Sequence, residues 1–451
     1  MKTSIKDFVS SRNACKACTP LGAALVFKGV QGAVSLLHGS QGCSTYMRRY
    51  IISHFREPID IASSNFSESS AVFGGKDNLK TALDNVIKQY HPKFIGVATT
   101  CLAETIGDSV PMIMQEYVRE RESTSLPVIV EVSTPSYQGT HIDGFHKAVR
   151  AIVTSMAVKE TPHDIINIFP GLISPADIRY LKEILADFGI QYSILPDYSQ
   201  TLDSCDWEQY QRIPEGGTPI PGIISMGGAP ASIEFGSVIE GTGTAAEYLD
   251  TQFHIPRHGF CIPVGIRQSD LFFKYLEKYS GRGTPEKYTS ERGRLVDSYF
   301  DGHKYVFGKK AVVYGEEDFV IAVTSFLAEI GVNPVLCVSG GESGRFLEIL
   351  EKTVPGIGAT AVVQEGVDFI EAAEIAAQLS PDFVIGNSKG YPLSKHLNIP
   401  LIRIGFPIHD RLGGQRLLHI GYRGAQNLFD LITNKLIENK QESLPGSNMY
   451  M

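Results

Sequence analysis

Short apolar runs alternate along the chain with longer stretches that have the spacing of amphipathic helices. FIGVA at 94–98 is followed by VPMIMQEYVRERE, and IINIF at 165–169 is followed by RYLKEILADFG. The same order returns at 311–314, where AVVY leads into VIAVTSFLAEIG. Ser174 before Pro175 is a typical start of a helix. Strands that alternate with helices of this length predict parallel sheets joined by right-handed crossovers.

The pattern therefore predicts an α/β protein with three doubly wound, Rossmann-like domains, each built on a parallel sheet. We place these domains at 1–160, 161–305 and 306–451. Large proteins of this class often return a late helix to an earlier domain, so the boundaries are approximate. The segment 205–245 is rich in Gly, Pro and Ser, and we expect an irregular connection there.

The composition agrees with several domains and narrows the function. A chain of 451 residues is too long for one hydrophobic core. Its net charge of −8 argues against a nucleic-acid-binding protein, because phosphate binding needs a basic surface. No apolar run is as long as a membrane span, which needs about eighteen residues. The N-terminus lacks the apolar core of a signal peptide. We therefore expect a cytoplasmic protein that binds neither membrane nor nucleic acid.

The candidate chemistry is carried by cysteines. An odd number of them, without an export signal, argues against a disulfide framework. The seven are Cys15, Cys18, Cys43, Cys101, Cys205, Cys261 and Cys337.

Three of these cysteines lie in turns that precede predicted helices. Cys43 follows the predicted strand at 33–37, and Cys101 follows the one at 94–98. Cys18 lies just before a proline that suits a first helical turn. Ligands of open α/β sheets bind at the carboxyl ends of the strands. A helix N-terminus also stabilises a thiolate, so these positions predict metal-binding sulfurs.

Two other interpretations remain open on the residues alone. A single buried cysteine after a strand is most often a small apolar side chain. Cys15 and Cys18 have the C-x-x-C spacing of zinc sites, which Cys43 and Cys101 would complete. Spacing alone does not separate such a zinc site from an iron–sulfur cluster.

Several long segments of the chain resemble one known family. They include NACKACTPLGAALVFKGVQGAVSLLHGSQGC, HFREPIDIASSNFSESSAVFGG, KFIGVATTCLAETIGD, VSTPSYQGTHIDGF and IGFPIHDRLGGQRLLHIGYRGA. These segments are similar to β-type subunits of the nitrogenase component 1 superfamily, and the similarity extends over nearly the whole chain. HGSQGC, HFREP and TTCLAETIGD, in this order and spacing, are its most specific motifs.

The resemblance implies an oxidoreductase subunit in an α2β2 heterotetramer with an α-type partner. Three cysteines from each subunit would share an iron–sulfur cluster at the α–β interface, here Cys18, Cys43 and Cys101. A separate ATP-dependent [4Fe-4S] iron protein would deliver the electrons, which pass to a metal–sulfur cofactor in the partner. The absence of a G-x-x-x-x-G-K-[ST] pattern agrees with nucleotide hydrolysis on another chain.

Two kinds of β-type chain fit this resemblance. One belongs to nitrogenases and nitrogenase-like reductases, with a relay cluster of the P-cluster [8Fe-7S] type. The other belongs to the scaffold on which the nitrogenase cofactor matures, with a [4Fe-4S] cluster. Retention of all three cysteines favours the reductase, whereas LGGQR at 412–416 and GYRG at 421–424 favour the scaffold. Thr140 stands where catalytic β-subunits commonly place a serine near the cluster, which makes it a candidate oxygen ligand.

The other cysteines are expected to be peripheral to this chemistry. Cys337 lies in an apolar strand and Cys261 precedes a predicted helix, and we expect both to be structural. Cys15 is expected at the surface or beside the cluster, and not as a ligand. No role is predicted for Cys205.

Overall fold

The computed structural model describes residues 15–121, 125–205, 209 and 211–443, whose strands form three parallel sheets. The first sheet has the order β2-β1-β3-β4, with β1 (Ala33–His38), β2 (Ile61–Ser63), β3 (Phe94–Thr99) and β4 (Val128–Val132). Its helices are α1 (Thr19–Lys28), α2 (Gln41–Phe55), α3 (Glu68–Phe73), α4 (Lys76–Tyr90), α5 (Cys101–Ile106), α6 (Val110–Glu120) and α7 (His141–Met156). A short 3-10 helix lies at Ser136–Gln138. Every residue of β1 and β3 is buried, as expected for parallel strands with both faces covered.

The second sheet has the order β6-β5-β7-β8. Its strands are β5 (Ile166–Phe169), β6 (Tyr192–Ile194), β7 (Ser232–Phe235) and β8 (Arg257–Phe260). The helices of this part are α8 (Pro175–Asp187), α9 (Ile220–Ile224), α10 (Ala245–Phe253), α11 (Gly265–Ser280) and α12 (Glu286–Val306), with a 3-10 helix at Ser225–Gly228. As predicted, Ser174 caps α8 and Pro175 occupies its first turn.

The third sheet has the order β11-β10-β9-β12-β13. Its strands are β9 (Lys310–Gly315), β10 (Asn333–Ser339), β11 (Val362–Gln364), β12 (Phe383–Gly386) and β13 (Leu401–Arg403). The helices are α13 (Glu317–Glu329), α14 (Phe346–Thr353), α15 (Ile357–Thr360), α16 (Phe369–Leu379), α17 (Tyr391–Leu397) and α18 (Gly421–Ser443), with 3-10 turns at Ser388–Gly390 and Gly414–Arg416. This is the doubly wound order, in which the chain reverses direction beside its first strand. The predicted α/β class with three parallel sheets is confirmed.

The expectation of an irregular connection over 205–245 is wrong for its second half. This segment contains β7, an interior strand of the second sheet that pairs with β5 and β8. The strand is short and carries Glu234, which interrupts its apolar run. Glu234 is buried because Arg257 and Thr244 bind its carboxylate, at 2.6 and 2.9 Å. Both partners lie outside the short stretch of sequence from which a strand is predicted. The local pattern therefore did not predict β7.

The last helix returns to an earlier part of the chain, as large α/β proteins often do. α18 packs against α11 and α12 of the second sheet. Arg423 of α18 binds Glu291 of α12 at 2.6 Å, and Tyr422 donates to Asp270 of α11 at 2.7 Å. No helix of the described residues is both long enough and apolar enough to cross a membrane.

Candidate metal centre

The register of the first sheet brings the turns of Cys43 and Cys101 side by side. β1 and β3 pair in parallel, and the last pair of this register is His38 with Thr99. The chain then enters α2, which contains Cys43 in its first turn, and α5, which begins at Cys101. Both cysteines therefore lie at the carboxyl edge of neighbouring strands, as the sequence predicted.

Cys18 reaches the same region from a third helix. It is the N-cap residue of α1, with an extended backbone, and Pro20 lies in the first turn. Cys18, Cys43 and Cys101 are all partly exposed. Each of the three predicted ligands therefore lies at the N-terminus of a helix, where the positive end of the helix dipole favours a negative sulfur.

Ser136 connects the Cys18 and Cys101 turns, and the sequence interpretation missed it. Its backbone N–H donates to Sγ of Cys101 at 3.2 Å. Its hydroxyl accepts a hydrogen bond from the backbone N–H of Thr19 at 3.2 Å, directly after Cys18. Thr19 in turn donates its hydroxyl to the carbonyl of Pro135 at 3.4 Å. The only signal in the sequence was the position of Ser136 in the quoted segment VSTPSYQGTHIDGF.

The two glycines of the HGSQGC turn differ in whether the chain has room for a side chain at their positions. A Cβ on Gly39 would lie 2.0 Å from Oγ1 of Thr100, so this glycine permits the β1 and β3 turns to pack together. A Cβ on Gly42 would meet only Oγ of Ser40, at 3.7 Å. Gly42 is exposed beside Cys43, so nothing within the described chain requires a glycine there.

The buried polar groups behind the cysteine turns are satisfied. His38 is fully buried and contacts the hydroxyl of Ser64 at 3.0 Å and the carboxylate of Asp108 at 3.1 Å. Burial lowers the pKa of His38. Glu104 accepts hydrogen bonds at 2.5 Å from the hydroxyls of Thr99 and Ser133. These contacts fix the loops that carry Cys43 and Cys101.

Thr140 uses its hydroxyl within the chain. It is the N-cap of α7, where Oγ1 donates to Asp143 at 2.9 Å and accepts from the N–H of Ile142 at 3.2 Å. The next residue, His141, donates its backbone N–H to the carbonyl of Ala17 at 3.0 Å. Thr140 therefore lies beside the Cys18 segment with its hydroxyl already engaged in a capping box.

Three of the remaining cysteines have thiols that are shielded from solvent to a greater extent. Cys15 is buried beside Val312 and Tyr314 of the third sheet, and burial raises its pKa to about 12. Of the two places expected for Cys15, the surface is therefore wrong, and a position beside the cluster stays a prediction. Cys337 is buried, with a pKa raised to about 12, and burial also raises the pKa of Cys261.

The described residues contain no group of three or more His, Cys, Asp or Glu side chains that could hold a metal ion unaided. Cys18, Cys43 and Cys101 thus come from three adjoining turns without forming a closed site. Cys205 is exposed.

Comparisons with known proteins identify the family that this arrangement belongs to. The model of the nitrogenase component 1 type oxidoreductases matches residues 18–437. The chain belongs to this family. It therefore belongs among oxidoreductases whose named members take part in nitrogen fixation, and the similar chains are β-type subunits.

The relatives include both kinds of β-type chain. The nitrogenase molybdenum-iron protein beta chain of Clostridium pasteurianum is 34% identical over 94% of this chain and 93% of its own length. The nitrogenase iron-molybdenum cofactor biosynthesis protein NifN of Bradyrhizobium diazoefficiens is 32% identical over 96% of this chain and 90% of its own. A solved structure of nitrogenase Cp1 at pH 6.5 superposes with a TM-score of 0.94 at 31% identity, covering 99% of this chain and 98% of that one.

Proposed function

We propose that this chain is the β-type half of an electron relay. Cys18, Cys43 and Cys101 would bind part of an iron–sulfur cluster of the P-cluster [8Fe-7S] type, shared with an α-type subunit. The observation that carries this proposal is the position of three partly exposed thiols at the N-termini of three adjoining helices. A half-site open at the protein surface is what a shared interfacial cluster requires.

The donor set fits such a group. Thiolates are the usual ligands of iron–sulfur clusters. A cluster bound here would supply one-electron transfer between a docked reductant and a cofactor held by the partner. The three helix N-termini, and the N–H of Ser136 on Sγ of Cys101, would favour negative charge on a bound cluster. Hydrogen bonds of this kind raise the reduction potential of a cluster.

The relay function requires partner proteins. Exposed apolar side chains near the site are evidence for such contacts. Leu102 follows Cys101 and is exposed, as are Phe73 of α3 and Met112 of α6. Exposed apolar groups around a ligand site are typical of protein–protein contacts. We propose an α2β2 heterotetramer in the cytoplasm, served by an ATP-dependent [4Fe-4S] iron protein.

A cofactor-assembly scaffold is the second candidate function. The observation that favours it is the 32% identity to NifN over most of both chains, close to the 34% found with a molybdenum-iron protein beta chain. In that case the same cysteines would hold a [4Fe-4S] cluster, and the complex would carry a cofactor precursor.

Iron quantitation and EPR on the anaerobically purified complex test the proposal. Cys101→Ala should lose most of the interfacial iron, whereas Cys205→Ala, a matched change at an exposed thiol, should lose none. Equal iron in both variants would contradict a cluster at Cys101.

The iron content also separates the two candidates. About eight irons per α–β pair at the interface support the relay, and about four support the scaffold. Activation of a cofactor-free nitrogenase by the purified complex would further favour the scaffold.

A further inference from the structure

Lys389 lies where the third sheet meets the elements that carry Cys18 and Cys43. It belongs to the 3-10 turn at Ser388–Gly390, directly after β12, and its side chain is half-buried. The segment at 15–18 passes beside this sheet. A Cβ on Gly340, after β10, would lie 2.7 Å from the backbone of Cys15. A lysine of the third sheet therefore lies within reach of the segment that leads into a predicted ligand.

The first contact of Lys389 is with that segment. Its Nζ donates to the carbonyl of Lys16 at 3.0 Å, two residues before Cys18. The next residue, Ala17, is tied to the start of α7, where its backbone N–H donates to Nδ1 of His141 at 3.4 Å. The approach to Cys18 is thus held from two different elements of the fold.

The second contact of Lys389 is with α2, the helix of Cys43. Its Nζ lies 5.8 Å from the centre of the Tyr50 ring, within the range of a cation–π interaction. Cys43 and Tyr50 are seven residues apart, so they lie on one face of α2. Tyr46 lies between them on this face, with its ring centre 4.7 Å from that of Tyr50. One ammonium group therefore contacts both the Cys18 segment and the face of α2 that carries Cys43.

The turn that carries Lys389 is itself fixed by hydrogen bonds. Its backbone N–H donates to Oδ1 of Asn387 at 3.0 Å, and Nδ2 of Asn387 donates to the carbonyl of Phe406 at 3.0 Å. The hydroxyl of Tyr314, on β9, donates to the carbonyl of Asn387. A side chain that extends from such a turn places its charge at a defined position.

The charge of Lys389 acts on groups around the Cys18 segment. Burial raises the pKa of the Cys15 thiol to about 12, and Lys389 opposes this rise. Burial lowers the pKa of His141 to about 4, and Lys389 adds to this fall. A positive charge near an iron–sulfur cluster favours the reduced, more negative form, and local charge is one of the factors that set the reduction potential of such clusters.

We propose that Lys389 is a positioning residue of the cluster site, which holds the Cys18 segment against α2 and raises the reduction potential of a cluster bound there. This inference rests on the proposed function, because it assumes that Cys18 and Cys43 bind one cluster. Ser136 connects the turns of Cys18 and Cys101, so Lys389 completes the connections among the three ligand segments.

An EPR-monitored redox titration of the anaerobically purified complex, with dithionite as the electron donor, tests the effect on the potential. Lys389→Met removes the ammonium group and keeps a long side chain. It should lower the midpoint potential by the equivalent of about threefold or more in the reduction equilibrium, roughly 28 mV for one electron. Lys389→Arg should keep the parent value, because it retains the charge. Lys395→Met removes an exposed ammonium group of α17 and should leave the potential unchanged.

Hydrogen exchange of the same complexes, measured by mass spectrometry, tests the holding role without depending on a cluster. Backbone amides in peptides that cover residues 15–22 should exchange about threefold or more faster in Lys389→Met than in the parent, because one tether of this segment is lost. Lys389→Arg and Lys395→Met should exchange at the parent rate.

The proposal is overturned if Lys389→Met keeps the parent potential, since a change in exchange alone would make the contact merely structural. It is also overturned if Lys389→Met exchanges at the parent rate, or if Lys395→Met shifts the potential equally. A parent complex without interfacial iron would overturn the proposed function, and the role of Lys389 toward a cluster with it. If Lys389→Met does not fold, Lys389→Gln decides by the same two measurements, because its amide is polar but uncharged.

Discussion

The backbone N–H of Ser136 donates a hydrogen bond to Sγ of Cys101 at 3.2 Å. The same residue accepts from Thr19, so the turns of Cys18 and Cys101 are held at one spacing by one serine. Its two groups have separable roles. The N–H acts on the sulfur, whereas the hydroxyl sets the distance between two helix starts.

Replacement of Ser136 by alanine should therefore loosen the site without removing a ligand. Loss of the hydroxyl leaves the N–H of Thr19 without its acceptor and should cost about 1 kcal/mol. We expect a lower Tm and an altered EPR signal in Ser136→Ala, with recovery of both in Ser136→Thr. Thr251→Ala, which removes an exposed hydroxyl from α10, is the control. An EPR signal identical to that of the parent would show that Ser136 does not position the site.

Thr140 offers a test of oxygen ligation against helix capping. Thr140→Val removes the capping hydroxyl of α7 and should lower the stability by about 1 kcal/mol, while Thr140→Ser should preserve it. Because the hydroxyl is engaged by Asp143 and Ile142, we expect the iron content of Thr140→Val to equal that of the parent. If the EPR signal of the oxidised state changed in Thr140→Val but not in Thr140→Ser, the Thr140 hydroxyl would instead be a ligand of the cluster.

Alanine substitutions at Gly39 and Gly42 distinguish two reasons for a glycine in this turn. One reason is close packing within the chain, and the other is the approach of a cluster or a partner to the backbone. Gly39→Ala places a Cβ 2.0 Å from Oγ1 of Thr100 and should destabilise the chain by about 1–3 kcal/mol. Gly42→Ala meets no close atom among the described residues, so its Tm should stay the same or rise slightly. If a cluster or partner approaches this backbone, Gly42→Ala should lose iron while remaining folded. Full iron content in Gly42→Ala would show that the approach of a cluster or partner does not require a glycine at this position.

The stability of the chain should depend on pH through the α13 carboxyl groups. Burial raises the pKa of Glu317 from 4.5 to about 7, and it also raises the pKa values of Glu316 and Asp318. Through these groups the folded chain binds more protons than the unfolded chain between these limits, so their contribution to stability falls as pH rises from about 4.5 to about 7. Buried His54, His141 and His146, whose pKa values burial lowers, act in the opposite direction over this range. The contribution of Glu317 is at most about 3 kcal/mol.

The Glu317 contribution should therefore appear as a difference between variants. As pH rises over this range, the Tm of Glu317→Gln should fall less, or rise more, than that of the parent chain, because the amide does not titrate, whereas Glu348→Gln, at an exposed position of α14, should follow the parent. A Tm profile of Glu317→Gln that runs parallel to that of the parent would contradict the shift of this carboxyl.

Local pattern was enough to find the strands that carry the site and the cysteines that end them. The strands predicted at 33–37 and 94–98 match β1 and β3, because buried parallel strands are nearly continuous apolar runs. Pro20 marked the helix after Cys18 for a similarly local reason, since proline suits a first turn.

Other features depended on residues that are distant in the chain. Ser136 is 35 residues from Cys101 and 117 from Thr19, and only the packing of α1 beside α7 brings them together. The burial of Cys15 was not predicted, because its neighbours Val312 and Tyr314 belong to the third sheet.

The sequence by itself determined the α/β class, the cysteines and their places at helix starts, because each depends on short-range hydrophobic order and on residue chemistry. Only the tertiary structure decided that β7 is a strand, that Ser136 joins two ligand turns, and that Glu317 has a buried oxygen without a donor among the described residues. The first two depend on pairings between residues distant in the chain, such as Glu234 with Arg257, and the third depends on burial, none of which a local window contains.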